Sequence, residues 1–385
     1  MKLTKPCNLR VMHIASGDLW AGAEVQLYTL TTTLQRKLSA TIIVVLFNHG
    51  KLEQALREAG IQVIVFDEAN LNGFRIFWQL AKTIRVWKPD VIHTHRNKEN
   101  ILGSIAARLI GHIPSMRTQH GASEHYPAWY LVHKQVIRLL DWLSGRFLQA
   151  RIIAVSEDLA SLLKRAFPAD KIQVIENGVD LESLVQHSAC PHITKNEQGK
   201  AWRVGVAGRL VPVKRVDLFI KAAHHLLKQY PELNISFHIF GDGPLREELK
   251  GLCHSLAVDS AVVFEGHCSN MAEMLSTLDV LVMTSDHEGL PMILLEAMAL
   301  KVPIIAHRTG GIPHLLDQGK AGILVDEHNP EGYGQAIHQL LQNSDDNSPR
   351  VRSAVDRVNS IYNSETNASA YCNQYLEITS SILTT

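Results

Sequence analysis

The chain has 385 residues, of which 46% are apolar and 20% charged, a composition typical of a globular protein large enough for two domains. The 38 basic residues are balanced by 38 acidic ones, so nothing in the overall charge favours nucleic acid, and no nucleic-acid partner is expected. Five scattered cysteines without a CxxC pair argue against a zinc site or a disulfide framework and favour reduced thiols in a cytoplasmic protein.

The first half of the sequence alternates short β-branched runs with amphipathic helical patterns, and no apolar run is long enough to span a membrane. We therefore expect neither a signal peptide nor a transmembrane helix. The alternation predicts a parallel sheet covered by helices on both faces. Its predicted strands are LRVMHIA, ATIIVVLF, QVIVF, DVIHTH, SMRTQH, RIIAVS and IQVIENG.

A polar segment interrupts this alternation, and the pattern then starts again. We predict a first Rossmann-like domain over 1–185, a linker over 186–200 and a second Rossmann-like domain over 201–364. Ligands of such sheets bind beyond the carboxyl ends of the strands, which predicts a site in a cleft between the domains. The second set of predicted strands is WRVGVAGRL, ISFHIFGDG, AVVFEG, VLVMTS, VPIIAHR and AGILVDE, and the polar tract QNSDDNSPR is predicted as a loop.

Glycine and histidine residues follow predicted strands of the first domain. Gly17 and Gly22 form a loop whose amides can approach a phosphate or sugar, or serve as a plain turn. His120 ends another strand, where it is either a residue of the site or a structural histidine. His93 and His95 alternate as metal ligands can, yet no carboxylate or cysteine completes a recognisable set, so we interpret both as structural.

The stretch GVAGRLVPVK places Gly208 and Arg209 at a strand end, with Lys214 five residues later. Small residues and two cations in this order suit a diphosphate, although solvated loop cations have the same pattern. The spacing does not match the GxGxxG fingerprint of a dinucleotide site, which disfavours an oxidoreductase.

The stretch EGLPMILLE carries Glu288 and Glu296 at the ends of an otherwise apolar segment. On a helix that begins near Pro291 they would lie on the order of 12 Å apart, too far for two carboxylates that flank one scissile bond. The helix start between them offers free amides for an anion. Carboxylate, anion site and carboxylate together match the outline of a nucleotide sugar. For the pair alone, however, the favoured interpretation is an ordinary loop residue at Glu288 and a solvated or salt-bridged helix residue at Glu296.

A basic and apolar segment spans 128–152 and includes Trp129 and Trp142 beside Arg138 and Arg146. It is predicted as a packed helix of the first domain, with contact to a membrane surface as the alternative.

In this order, the motifs SGDLWAGAE, NGVD, GRLVPVK, GDGP, EGLPMILLEAMA and GGIPHLL resemble the retaining glycosyltransferases of family 4, which have the GT-B fold of two Rossmann-like domains facing a cleft. The resemblance covers nearly the whole chain. It implies that a last helix within 365–385 crosses back onto the first domain. One departure is Ala21, since the family often has adjacent glycines before the small residue and glutamate of this loop.

The resemblance also implies the roles of individual residues. Arg209 and Lys214 would hold the diphosphate, Glu296 the ribose diol, and His120 would lie by the reacting sugar. The donor site implied by the family consists of Gly22, Gly208, Arg209, Lys214, Glu288, Gly289, Leu290 and Glu296, and its catalytic residues are His120, Arg209, Lys214 and Glu288.

The expected activity is retaining transfer of a hexosyl group from a nucleotide-diphosphate sugar, with UDP as the default nucleotide, to a glycan, lipid-linked or other acceptor in polysaccharide biosynthesis. Fixed cations and helix dipoles can stabilise the departing diphosphate, so we expect neither a metal nor another cofactor. The alternatives are a nucleotide-sugar epimerase of the same fold and an inactive nucleotide-sugar-binding scaffold. The predicted location is the cytoplasm, where the protein could also contact the inner face of the membrane.

Overall fold

The computed structural model describes residues 8–121, 132–187, 201–268, 270–342 and 348–383. The chain divides into two compact units, the first formed by 1–178 with 363–385 and the second by 179–362. This division assigns 179–185 to the second unit, whereas the sequence interpretation extended the first domain to residue 185. Most of the predicted linker 186–200 lies outside the described residues.

The first unit is built on a seven-stranded parallel sheet of order β3-β2-β1-β4-β5-β6-β7. Central strands are buried on both faces, as β-branched runs such as TIIVVL require, because helices cover a parallel sheet on both sides. The strands are β1 Arg10–Ala15, β2 Thr41–Leu46, β3 Gln62–Val65, β4 Val91–Thr94, β5 Ser115–Gln119, β6 Arg151–Ala154 and β7 Ile172–Val174.

The helices of the first unit connect these strands as crossovers. In the third helix, Ile76, Leu80 and Ile84 recur at four-residue spacing and are buried, and the side chain of Asn72 caps its start by accepting from the amide of Arg75 at 2.9 Å. The helices are α1 Gly22–Leu38, α2 Lys51–Glu58, α3 Gly73–Trp87, α4 Asn97–Gly111, α5 Val132–Leu143 and α6 Glu157–Leu163, and a π-helical turn, Ser144–Leu148, continues α5.

The second unit is built on a six-stranded parallel sheet of order β10-β9-β8-β11-β12-β13. Its strands are β8 Trp202–Ala207, β9 Ile235–Phe240, β10 Val262–Gly266, β11 Val280–Met283, β12 Ile304–His307 and β13 Ile323–Val325. Its helices are α7 Leu181–His187, α8 Val216–Gln229, α9 Arg246–Ser255, α10 Met271–Ser276, α11 Met292–Ala299, α12 Ile312–Leu315, α13 Pro330–Gln342 and α14 Ser348–Ser360.

A final helix, α15 Ser364–Leu383, returns to the first unit and packs against α1. Its tyrosines Tyr371 and Tyr375 are buried. Asn367 fastens it, because its side chain donates to the carbonyl of Glu176 at 2.6 Å and accepts from Gln26 at 3.0 Å.

Each of the thirteen runs predicted as strands contains one of these strands, and the prediction of two Rossmann-like α/β sheets is confirmed. The loop predicted at QNSDDNSPR is wrong at both ends, because Gln342 ends α13 and Ser348, Pro349 and Arg350 form the first turn of α14, while 343–347 lie outside the described residues. The Pro349 position is the one that needs an explanation. Proline is compatible with this position, since the first turn of a helix does not need its amide. Among the helices of the described residues, none is both long and apolar enough to cross a bilayer.

Candidate functional site

Two adjacent strands bring the predicted charges of the second unit together. Gly208 and Arg209 follow β8, and Lys214 ends a short 3-10 turn that begins at Pro212. Glu288 lies in the loop after β11, which pairs directly with β8. The side chain of Lys214 donates to Glu288 at 2.5 Å, so residues 74 positions apart form one ion pair at the carboxyl edge of this sheet.

Arg209 and Lys214 differ in their surroundings. Arg209 is exposed, and within the described part of the chain it has no ion pair or side-chain hydrogen bond. Lys214 passes over Gly208, since a Cβ atom added to that glycine would lie 3.7 Å from the Cε of Lys214. Gly208, Lys214, Thr284 and Ser285 line a small depression there. One cation is therefore free to reach an anion, while the other is already held in place.

The Glu288 loop is fixed by its backbone. The amide of Gly311 donates to the carbonyl of Gly289 at 3.1 Å. Gly310 has a φ of +53°, and a Cβ atom there would come within 1.8 Å of the carbonyl oxygen of Glu288, so this close approach requires glycine. Leu290 turns its side chain into the core. The loop is therefore held by its backbone contacts with Gly310 and Gly311 and by the buried side chain of Leu290.

Helix α11 buries a carboxylate that has no partner. Pro291 caps the helix, which begins at Met292, as expected for a helix that starts near Pro291. Glu296 is 7% exposed, and no described residue forms a side-chain hydrogen bond or ion pair with it. Burial alone raises its pKa to about 7. Because an unpaired buried carboxylate is costly, its position favours an external donor such as a sugar hydroxyl.

The sequence interpretation missed a group of polar side chains beside Glu288. Asp286 accepts from Arg215 at 3.2 Å and contacts His328 at 2.9 Å. His328 in turn stacks on His307 with ring centroids 3.7 Å apart. Asp286 follows β11, so an acidic residue two positions before Glu288 was the available signal, but neither histidine has a distinctive sequence context.

In the first unit, Gly22 is the first residue of α1, and the charges around it are paired. The amide of Ala21 donates to Glu24 at 3.2 Å. Arg96 donates to Glu24 at 2.6 Å and to Asp18 at 3.1 Å. Burial raises the pKa of Glu24, and the charge of Arg96 opposes that rise. Glu24 therefore caps α1, and its ion pair with Arg96 holds the loop before α1 to the end of β4. The sequence did not reveal this role of Arg96.

His120 follows β5 and is half-buried, at the end of a chain of histidines. Its Nε2 lies 3.2 Å from Nδ1 of His95, whose Nε2 lies 3.1 Å from Nδ1 of His13. His93 packs beside them but makes its own hydrogen bonds. The sequence pattern around His95 indicates a structural histidine. His13 lies inside a strand, and nothing in its sequence context indicates a contact with His95.

The four residues His120, Arg209, Lys214 and Glu288 do not form one cluster within a single unit. His120 belongs to the first unit, whereas Arg209, Lys214, Glu288 and Glu296 belong to the second. Within the second unit, the shared edge of β8 and β11 gathers the predicted donor residues, and α11 adds Glu296.

Two family models match the sequence. The model for Glycosyltransferase Family 4 matches residues 20–183, and the model for Glycosyl transferases group 1 matches residues 192–356. The two matches fall on the two halves of the chain.

Named relatives are similar over most of the sequence. A UDP-Gal:alpha-D-GlcNAc-diphosphoundecaprenol alpha-1,3-galactosyltransferase of Escherichia coli is 27% identical over 305 residues, which cover 77% of this chain and 76% of the relative. A D-inositol 3-phosphate glycosyltransferase of Corynebacterium efficiens is 27% identical over 367 residues, which cover 91% of this chain and 76% of the relative.

Solved structures share the fold. Anabaena HepE in complex with UDP and glucose superposes with a TM-score of 0.82 at 20% identity, over 96% of this chain and all of that one. Staphylococcus aureus TarM superposes with a TM-score of 0.69 at 13% identity, over 95% of this chain and 98% of that one.

Proposed function

Because this chain belongs to the family 4 glycosyltransferases of the GT-B fold, we propose that it transfers a hexosyl group from a UDP-sugar to a hydroxyl of a lipid-linked or other glycan, with retention at the anomeric carbon. The matches confirm the family, the fold and the enzyme class that the motifs predict, and they do not favour the epimerase or scaffold alternatives. The observation that carries the proposal is Glu296, a buried carboxylate without a partner among the described residues, on the helix that follows the Glu288 loop.

In the proposed donor complex, Glu296 accepts hydrogen bonds from the ribose hydroxyls, and Arg209 and Lys214 bind the diphosphate. The backbone of Gly289 and Leu290 contacts the hexose together with Glu288. Lys214 already lies at this edge through its hydrogen bond to Glu288, and Arg209 has no partner among the described residues that it would have to give up. The choice of UDP follows the name of the Escherichia coli relative, which uses UDP-Gal.

In the proposed reaction, the bond between the anomeric carbon and the diphosphate oxygen breaks while the acceptor hydroxyl attacks from the same face. The acceptor proton passes to the departing diphosphate. Negative charge accumulates on that diphosphate, where Arg209 and Lys214 stabilise it, so the proposal requires no metal. Neither Glu288, which is bound to Lys214, nor any other group acts as a covalent nucleophile in this scheme.

The acceptor is proposed to be a glycan or a lipid-linked saccharide, and the face of the first unit formed by α3, α4 and α5 supports contact with a membrane. Helix α4 contacts both of the others, so the three form one layer. Exposed apolar side chains on this layer are Phe74, Trp78, Val86, Leu109, Val136, Leu139, Leu140 and Phe147. Trp129 of the segment first considered for this role lies outside the described residues.

The charge of this layer is complementary to anionic lipids. Exposed cations on it are Arg75, Lys82, Arg85, Arg108, Lys134, Arg138 and Arg146, and α3 contains no acidic residue. Aromatic rings with surrounding cations are the pattern of helices that lie in a bilayer interface. We therefore place the enzyme in the cytoplasm, docked on the inner face of an anionic membrane.

Vesicle flotation tests the docking. The protein should bind phosphatidylcholine vesicles that contain phosphatidylglycerol, and not pure phosphatidylcholine, and salt should weaken binding. Replacing Phe74 and Trp78 together by Ser should abolish it. The control is Leu162→Ser, at an exposed leucine of α6 outside this layer. Equal binding by the double variant would contradict the proposed face.

Calorimetric titration with UDP, GDP and ADP and their hexose conjugates, with chelator and then with magnesium, tests the donor. We expect selective binding of UDP-sugars in chelator. Transfer to a lipid-linked acceptor is then followed by NMR, where an α-linked product from an α-linked donor demonstrates retention. Absence of nucleotide binding would support the scaffold alternative, and conversion of the donor without transfer would support the epimerase.

A further inference from the structure

We propose that Arg215 and Asp286 are positioning residues that clamp the turn before α8, which carries Lys214, to the loop after β11, which carries Glu288. The clamp holds the backbone of Lys214 in place, while its ammonium group remains free to exchange Glu288 for the diphosphate. The placement of Lys214 by the diphosphate rests on the proposed function. The clamp itself does not, since its contacts lie within the second unit.

Arg215 has an unusual backbone conformation for its residue type. It lies between the 3-10 turn Pro212–Lys214 and α8 with φ and ψ of +47° and 42°, in the left-handed region. A side chain makes this region costly, so the position favours glycine. A strained residue persists where surrounding contacts hold it, and such residues concentrate at functional sites. The strain indicates that the side chain of Arg215 makes contacts that glycine cannot make.

The guanidinium group of Arg215 contacts two carboxylates, one local and one distant. It donates to Asp217, in the first turn of α8, at 3.0 Å and 3.2 Å. It also donates at 3.2 Å to Asp286, which lies 71 positions along the chain. Asp217 has a second cation, because Lys221 donates to it at 3.0 Å. The contact with Asp286 is therefore the one that joins the segment after β8 to the loop after β11.

Hydrogen bonds to the backbone join the same two segments. The amide of Asp286 donates to the carbonyl of Val213 at 2.8 Å. The hydroxyl of Thr284 donates to the carbonyl of Lys214 at 2.9 Å. Because Arg215 is the next residue along the chain, its ion pair with Asp286 adds a third connection beside these two. The backbone around Lys214 is therefore tied to the loop that carries Glu288.

Asp286 is itself held by residues from further loops. Nε2 of His328, which follows β13, lies 2.9 Å from its carboxylate. Nδ1 of His328 lies 2.9 Å from the hydroxyl of Tyr333, a fully buried residue. Thr309, which follows β12, donates to the carbonyl of Asp286 at 2.9 Å. Asp286 is therefore a fixed partner for Arg215, although its side chain is partly exposed.

A purely local role at the start of α8 is the competing interpretation of Arg215. It requires the contact with Asp217 and predicts that activity follows stability in every variant. The clamp predicts that kcat depends on the contact with Asp286. Glycine and alanine at position 215 separate the two interpretations, because both remove the side chain but only glycine tolerates a φ of +47° without strain.

Transfer kinetics and urea unfolding of the same variants form the first test. Arg215→Gly and Arg215→Ala should both lower kcat roughly tenfold, with little change in the KM of the donor. Arg215→Gly should nevertheless unfold at a higher urea concentration than Arg215→Ala. A kcat that recovers in the glycine variant, or that neither substitution changes, would overturn the proposal.

Substitution of the carboxylates tests the partner of Arg215. Asp286→Asn should lower kcat to the same extent and should add nothing to Arg215→Gly, because both changes remove one contact. It leaves residue 215 unchanged, so added flexibility of glycine cannot explain its effect. The matched control is Asp217→Asn, which removes the local contact and should leave kcat unchanged. Multiplied effects in the double variant, or a control as impaired as Asp286→Asn, would rule out the clamp.

Hydrogen exchange measured by NMR tests the clamp without substrate. The amide of Asp286, which donates to Val213, should exchange roughly tenfold faster in Arg215→Gly than in the unmodified protein. The control is Lys301→Gly, at an exposed residue with a φ of +62°, which should leave this amide unchanged. Unchanged exchange in Arg215→Gly would overturn the clamp whatever the activity. Faster exchange in a protein that transfers no sugar would support the clamp and count against the proposed function alone.

Discussion

The carboxyl edges of the two sheets differ in how many of their polar side chains are charged and in how far water reaches them. In the second unit, Arg209 is exposed, Lys214 pairs with Glu288, and Arg215 pairs with Asp286, so full charges lie within reach of solvent. In the first unit, histidines that burial keeps neutral lie in and after the strands, beside the paired charges of Arg96 and Glu24. Equivalent positions of two similar sheets have thus acquired different chemistry.

The charges of the second unit suit the diphosphate binding that we propose. Binding of a diphosphate requires positive charges that can exchange partners, which is easiest at a partly solvated edge. The neutral histidines of the first unit avoid the cost of a buried charge. Glu296 is the exception in the second unit, because it is a buried acid with a pKa of about 7 and is therefore partly neutral and partly charged near neutral pH.

The largest expected effect is that of Glu296→Gln on donor binding. Loss of a charged hydrogen bond should weaken binding of the UDP-sugar about 10- to 100-fold at pH 8. Because the carboxylate form accepts the ribose hydroxyls, affinity of the unmodified protein should rise with pH through about 7 and then level off. Calorimetry across pH 6 to 8 checks this, and pH-independent affinity that the substitution does not change would contradict the role of Glu296.

The same substitution should stabilise the free protein. The native state holds a proton on Glu296 between its usual pKa and about 7, so stability falls as pH rises through that window and stays low above it. Glu296→Gln removes this loss, which is on the order of 3 kcal/mol at pH 8 and close to zero at pH 4. Urea unfolding at both pH values measures it, and equal stability at pH 8 would show that the carboxylate is already satisfied.

Lys214→Met should act on turnover rather than on stability. Removing a cation from the departing diphosphate should lower kcat about 10- to 100-fold. Arg209→Met should have a similar effect with no loss of stability, because Arg209 is exposed and unpaired within the described residues. The control is Lys250→Met, at an exposed lysine of α9 paired with Glu247. If kcat falls as much in the control as in Lys214→Met, Lys214 does not stabilise the departing diphosphate.

Arg96→Met tests a paired set of charges at the edge of the first unit. It leaves Glu24 buried without its cation, so the pKa of Glu24 should rise further and the unfolding free energy should fall by about 1 to 2 kcal/mol at pH 8, and less at pH 5. Adding Glu24→Gln to the Arg96→Met variant should reverse this loss of unfolding free energy. The control Arg57→Met breaks an exposed pair on α2 and should cost under about 0.5 kcal/mol.

Strands, and the site residues that follow them, were predictable because their signals are local. Gly208, Arg209 and His120 stand directly after β-branched runs, and Glu296 stands out as an acid in an apolar helix. Pairing was not predictable. Lys214 contacts Glu288 because β8 lies beside β11. His13 contacts His95 because β1 lies beside β4. Both contacts follow from the order of strands in the sheet, which sequence spacing does not reveal.

The smallest expected effect is the contribution of the Lys214–Glu288 pair to folding. Although the contact is short, both side chains keep some exposure, 28% and 12%, and water screens such a pair. A double-mutant cycle with Lys214→Met and Glu288→Gln should give a coupling below about 1 kcal/mol in the free energy of unfolding. A coupling above about 2 kcal/mol would mean that the pair is a structural link, and Lys214 would then be too firmly held to exchange its carboxylate for a diphosphate.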